Sequence, residues 1–264
     1  MRFCFVVVIV MAAASVPAAA QDQAGLPPPE APAPRGAPDF LYGRPYGSLA
    51  VRGSWSLVRA SSDWYDFVTD QLTLQRSDFN APGFAVDFGI TVTDRVEAVV
   101  GVDVSRMSAS SEYRRFVDNN RQPINQTTRL SQANVTGGMK LALRERGRRV
   151  SALAWIPRGL VPYLGGGAGM LWYDLSQEGD FIDALDPRLA VFTDVFESQE
   201  WTPTAHVFGG VDVRVARSVF VTFDARYRWA AGDLSRQWVS FDPIDLSGLR
   251  LSTGISVSLQ KKPF

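Results

Sequence analysis

At 264 residues, with Lys+Arg and Asp+Glu both at 27, the chain has no formal net charge and so no overall field to draw in nucleic acid or a polyanionic partner. Its one cysteine, Cys4, lies in a stretch expected to be removed, which excludes disulfides, thiol chemistry and cysteine-held metals from the mature chain. Mean hydropathy is close to zero, the value produced when every apolar residue is diluted by a polar neighbour.

Met1-Arg2 opens the chain, followed by an apolar run from Phe3 and then Met11 to Ala20. A short positive region, a hydrophobic region and a small-x-small site at Ala18 and Ala20 predict a secretory signal peptide over 1–20. The run is short of the roughly 20 residues a spanning helix needs, and Cys4 precedes it, the wrong side for an acylated lipoprotein cysteine. Residues 21–45 contain Pro27, Pro28, Pro29, Pro32, Pro34, Pro38 and Pro45, and are expected to form a flexible, extended lead-in.

From Gly47 the pattern takes a period of two, the period of a β-strand. In the first strand, Leu49, Val51, Gly53, Trp55 and Leu57 alternate with Ala50, Arg52, Ser54 and Ser56. The second sets Phe84, Val86, Phe88, Ile90 and Val92 against Ala85, Asp87, Gly89 and Thr91, and ends at the turn Thr93-Asp94-Arg95. The third opposes Ala98, Val100, Val102 and Val104 to Glu97, Gly101, Asp103 and Ser105. The fourth opposes Ala133, Val135, Met139, Leu141 and Leu143 to Gln132, Asn134, Thr136 and Lys140. An arginine-rich connection over 144–158, long for a turn, follows; it either extends the neighbouring strands or lies against headgroups.

The fifth strand, Pro162 to Tyr173, is ambiguous in its faces, with Gly165, Gly167 and Gly169 on one side leaving room for large neighbours. A phosphate-cradling glycine loop would need a helix after it, whereas Met170 to Tyr173 continue a strand. The sixth places Ala205, Val207, Val211, Val213 and Val215 opposite Thr204, His206, Phe208, Asp212 and Arg214. After the short turn Ala216-Arg217-Ser218 comes the clearest strand, Val219 to Trp229, with one wholly apolar face and Asp224, Arg226 and Arg228 on the other. The last sets Leu249, Leu251, Ile255, Val257 and Leu259 against Arg250, Ser252, Ser256 and Ser258.

Polar intervals at 60–80, 106–129, 174–200 and 230–247 follow the odd-numbered strands, while the connections after strands two and six are short. Long loops at one rim and short turns at the other predict an all-β fold, an eight-stranded antiparallel up-and-down transmembrane β-barrel spanning 46–264. A soluble barrel would put the apolar face inside; here the other face holds nearly balanced charges that can pair in a narrow lumen. The expected lumen network has the acids Asp87, Glu97, Asp103, Asp212 and Asp224, the bases Arg52, Lys140, Arg214, Arg226, Arg228 and Arg250, and His206. Trp55, Trp172, Tyr227 and Trp229 fall where strands enter long loops, as an aromatic girdle requires.

The signal peptide, the eight alternations, the Pro162-Tyr163-Leu164-Gly165-Gly166-Gly167 segment, the closing Gly248-Leu249-Arg250-Leu251 strand and terminal Phe264 together resemble the small eight-stranded outer-membrane barrels of Gram-negative bacteria, of OmpA, OmpX and OmpW type. The resemblance implies location in the bacterial outer membrane, contact with its lipids and lipopolysaccharide, and a monomeric state with no nucleic-acid partner. It also implies reading of the C-terminal strand and Phe264 by the barrel-assembly machinery, although Lys261-Lys262-Pro263 interrupts the alternation, making Leu259 the last expected wall residue. Outer-membrane lipid-A deacylases and phospholipases use histidine with serine; their His-x-Ser pattern would need serine at 208, where Phe208 stands. Asp183, Asp186 and Asp194 match no calcium loop, and no residue pattern asks for a metal or cofactor. The expected role is therefore structural or surface-interacting and non-enzymatic, with an OmpW-like conduit for small or hydrophobic molecules as the alternative and a lipid-modifying enzyme as a remoter one.

Overall fold

The computed structural model describes residues 40–118, 121–151, 154–182 and 190–260. The signal peptide, most of the proline-rich lead-in, Asp183, Asp186 and Phe264 lie outside the described residues.

Eight strands form the wall: β1 (Gly47–Val58), β2 (Ala81–Thr91), β3 (Val96–Val117), β4 (Pro123–Ala142), β5 (Leu160–Ile182), β6 (Val191–Arg214), β7 (Val219–Trp229) and β8 (Gly248–Leu259). Each pairs antiparallel with its neighbour in sequence, and β8 returns to β1 with Gly248 opposite Val58 and Leu259 opposite Gly47. Closure pairs both sides of every strand within the ring, so the backbone groups there have partners without water; edges remain above it, on β3 past Ser105 and on β6 before Ala205.

Along each strand the two sides differ as the alternation predicts. In β7 the outward Phe223 is 51% exposed, while the inward Asp224 is 6%. In β3 the outward Val102 is 48% exposed and the inward Glu97 only 1%. Apolar residues thus cover the outside and charges fill the inside, the reverse of a water-soluble barrel. The ambiguous strand resolves in the same sense: Leu164 and Met170 face out, and Tyr163, Leu171 and Tyr173 face in.

The four central strands overturn part of the expected loop plan. β3, β4, β5 and β6 have 22, 20, 23 and 24 residues, about twice what a tilted span needs. Most of the intervals 106–129 and 174–200, expected as polar loops, is therefore strand. The physical reason is that polarity does not oppose pairing outside a bilayer. Ser108 pairs with Arg129 and Ser110 with Thr127 on the face left to water, and Gln177 with Thr128 on the buried one. Neighbours in the ring, these strands raise one side of the barrel into a lip.

The intervals 60–80 and 230–247 are not simple solvated loops either. The first contains helix α1 (Asp63–Gln71), and both turn inward against the lip. Trp64, Tyr65, Val68, Phe79, Trp238, Ile244 and Leu246 pack with Met107, Leu130, Leu171, Tyr173 and Leu175 from its inner face. Helical spacing puts Trp64, Tyr65 and Val68 on one side of α1, a signal hidden among its aspartates.

At the opposite end, the arginine-rich connection forms two short strands, Gly147–Arg149 and Ala154–Pro157. They build a small sheet with Leu41–Tyr42, whose Leu41 pairs with Trp155 and is fully buried. The last part of the lead-in is thereby tied to the barrel instead of trailing free.

Candidate functional site

The lumen is the site the fold creates, and its side chains form connected layers. Nearest the short turns, Glu97 accepts a bond from Ser48 at 2.6 Å and from Arg146 Nη2 at 2.7 Å. Room for that carboxylate comes from Gly89, where a Cβ would stand 2.3 Å from Glu97 Oε1. Beside it Lys140 Nζ contacts Asp212 Oδ2 at 2.7 Å, and Thr222 donates to the other carboxylate oxygen at 2.8 Å. The ammonium also sits 3.8 Å from the centroid of the Tyr163 ring.

In the middle layer Arg52 pairs with Asp87, and Arg226 reaches the same Asp87 oxygen at 3.7 Å. Arg226 Nε is 3.8 Å from Asp224, which accepts the Tyr163 hydroxyl at 3.0 Å. The Arg226 guanidinium also lies over Phe208, 4.8 Å from its centroid. Above it Arg250 pairs with Asp103 and donates to Ser56 at 3.2 Å. Asn134 donates to Asp103 at 3.2 Å and accepts from Thr204 at 3.4 Å. Arg228 closes the network, donating to Gln132 at 2.5 Å and to the Leu246 carbonyl at 3.0 Å.

Of the twelve residues expected in the lumen, ten enter these ion pairs and hydrogen bonds. His206 faces inward, 4% exposed, but stacks on Phe208 with ring centroids 5.8 Å apart, and its Nδ1 has no hydrogen-bond partner. Arg214 is half-buried at the turn end of β6, beside Gly159, whose carbonyl accepts its backbone N–H. Alternation could not find Arg146, which enters from a connection, or Tyr163 on the ambiguous strand; it set Gln132, Asn134 and Thr222 on the inward face, but they carry no charge to count as partners. The glycine reading holds at Gly165, where a Cβ would meet Phe208 Cζ at 2.2 Å.

The mouth is latched where its two loops meet. Ser61 donates to Asp245 from its hydroxyl at 2.5 Å and from its backbone at 3.3 Å, while Asp245 accepts from the Ser247 backbone at 3.0 Å. Burial pushes the Asp245 carboxyl up, but these bonds outweigh it and hold the group below its ordinary value. In the plug, burial drives the Tyr65 phenol well above its ordinary range, with the Asp245 charge adding to the effect.

Outward-facing Trp55, Tyr227 and Trp229 stand where their strands approach the mouth, and Trp172 pairs with Trp201, a girdle member the sequence reading omitted. A closed eight-stranded ladder, an apolar outside and an ion-paired inside define an eight-stranded transmembrane β-barrel.

Among solved structures, the chain is similar to Neisserial surface protein A, at 13% identity over 85% of this chain and 100% of that one, with a TM-score of 0.45. It is also similar to the outer membrane protein OprG of Pseudomonas aeruginosa, at 11% identity over 84% and 100%, with a TM-score of 0.43. A third is the outer membrane protein AlkL, solved in lipid bilayers, at 15% identity over 89% and 98%, with a TM-score of 0.39. No family model and no curated protein matches the chain. The class rests on the chain's own ladder and burial.

Proposed function

We propose that this is a non-enzymatic protein of the bacterial outer membrane, exported by its signal peptide, with a sealed lumen and a surface-exposed lip. One observation carries the reading: the interior is occupied in series, by the charged layers and then by the apolar plug of the two mouth loops. A conduit would need a continuous polar path, and buried charges paired across the axis leave none of adequate width. The raised lip and mouth loops would then meet lipopolysaccharide and external partners, the C-terminal strand would be read during assembly, and the barrel would work as a monomer.

Planar-bilayer recording tests the reading. Silent insertion is the expected result, and steady conductance overturns it. A second reading, passage of small apolar molecules, draws on an open groove of about 210 Å³ beside the plug, lined by Phe67, Phe181, Phe192, Phe196, Trp238 and Phe241. Protein-dependent uptake of an apolar dye into liposomes would favour it. For the enzyme alternative, loss of fatty-acid release from lipid A in His206→Ala is the decisive finding; no release by the wild type is expected.

A further inference from the structure

The zero net charge conceals a separation between the two ends of the barrel. At the short-turn end, Arg95, Arg144, Arg148, Arg149, Arg158 and Arg217 are exposed, against Asp94 and Glu145 as the exposed described acids there. Arg144, Arg148, Arg149 and Arg158 have no ion-pair partner among the described residues, and the interior acids of that end, Glu97 and Asp212, are occupied by Arg146 and Lys140. At the mouth the pattern is different. Arg59, Arg106, Arg121 and Arg236 are exposed there too, but Arg76 is held by Asp66 and Arg115 by Asp70, and exposed acids such as Glu197, Glu200 and Asp242 outnumber the exposed arginines among the described residues.

The unpaired arginines adjoin the lipid-facing wall. Arg144 directly follows Leu143, and Arg158 stands two residues before Leu160; these leucines are 48% and 50% exposed on the outside. Arg148 pairs with Ile156 in the small sheet, whose buried members Leu41 and Trp155 alternate with this pair. The four unpaired arginines lie in the one connection between β4 and β5, while Arg95, 3.8 Å from Glu145, and Arg217 are exposed on the other two. Where an apolar wall ends, the headgroup layer of the bilayer begins, and a guanidinium there can hold a phosphate through two parallel N–H bonds.

We propose that the short-turn rim binds anionic phospholipid headgroups of the leaflet it faces, an inference that rests on the membrane-barrel reading. Continuity with the lipid-facing wall fits a plane of lipids better than the footprint of one acidic protein.

The test places the full chain in phosphatidylcholine vesicles and measures the immobilised fraction of spin-labelled phosphatidylglycerol against spin-labelled phosphatidylcholine. The wild type is expected to retain the anionic lipid several-fold over the neutral one, with the preference shrinking as salt is added. Arg144→Gln/Arg148→Gln/Arg149→Gln/Arg158→Gln should lose most of that preference while still floating with vesicles and shifting mobility when boiled. Should the quadruple variant misfold, Arg148→Gln/Arg149→Gln on the edge strand of the small sheet should show a partial loss. Wild type that floats but holds both lipids alike overturns the inference alone, as does a folded variant with unchanged preference. Wild type that does not float with neutral vesicles overturns the membrane reading and this inference together.

Discussion

Arg226 on β7 and Asp87 on β2 meet inside the barrel at 3.7 Å, although β8 and β1 stand between their strands in the wall. Arg52 holds the same carboxylate, so one acid separates two buried cations. Asp87→Asn should leave Arg52 without its acid and Arg226 with only Asp224 at 3.8 Å, the two guanidinium groups still facing each other. A loss of about 3–5 kcal/mol is expected, read as a lower urea midpoint in a folded-barrel gel assay. Asp87→Glu should recover part of it.

Lys140 and Asp212 form an independent pair nearer the turns, each largely buried. Lys140→Met should destabilise the barrel by roughly 3 kcal/mol, because Asp212 keeps only the Thr222 hydroxyl. The double variant Lys140→Met/Asp212→Leu should be nearer the wild type than Lys140→Met is. A double-mutant cycle on unfolding midpoints measures this, and strict additivity would contradict it.

Gly165 has no room for a methyl group, since Phe208 Cζ and the Met139 carbonyl oxygen would lie 2.2 and 2.5 Å from it. Gly165→Ala is expected to cost about 1–3 kcal/mol and to lower the yield of heat-modifiable barrel. Adding Phe208→Ala should not restore the yield, because the backbone oxygen remains.

Trp64 is the centre of the plug, with edge-to-face contacts to Tyr65, Phe79 and Trp238 at centroid distances of 5.0, 5.7 and 6.0 Å. Trp64→Ala should cost about 3–5 kcal/mol of plug stability. Limited proteolysis should then cut within 59–80 while the wall stays protected. Equal protection of that segment in the variant would count against a packed plug.

Asp245 should make the mouth latch acid-sensitive. Its carboxyl is lowered in the folded state, so its contribution is fully present above the unfolded value of 3.8 and is lost as pH falls through the lowered folded value. Hydrogen exchange at the Ser61 amide should quicken across that interval. In Asp245→Asn the same amide should exchange without that acid step.

Period-two alternation was enough to assign inside and outside along every strand but the fifth, because adjacent side chains must point opposite ways. It was strongest in Val219–Trp229, whose bounds are those of β7. It weakened at Leu171, Trp172 and Tyr173, where apolar residues occupy both faces. There the inner face meets the plug and the outer face the girdle, a coincidence no period can report. Polar composition likewise concealed the upper halves of β3 to β6, since paired backbone outside a membrane tolerates serine, threonine and glutamine.

Local pattern thus determined which side chains enter the lumen, and balanced charge implied that they pair. Only the closed ladder decided with whom. Arg226 finds Asp87 and Arg146 finds Glu97 because ring closure brings distant strands and a connection within reach, a relation set by register and not by sequence spacing. The plug was decided the same way: Trp64 and Trp238 belong to separate loops, and burial against the lip's inner face brings them together.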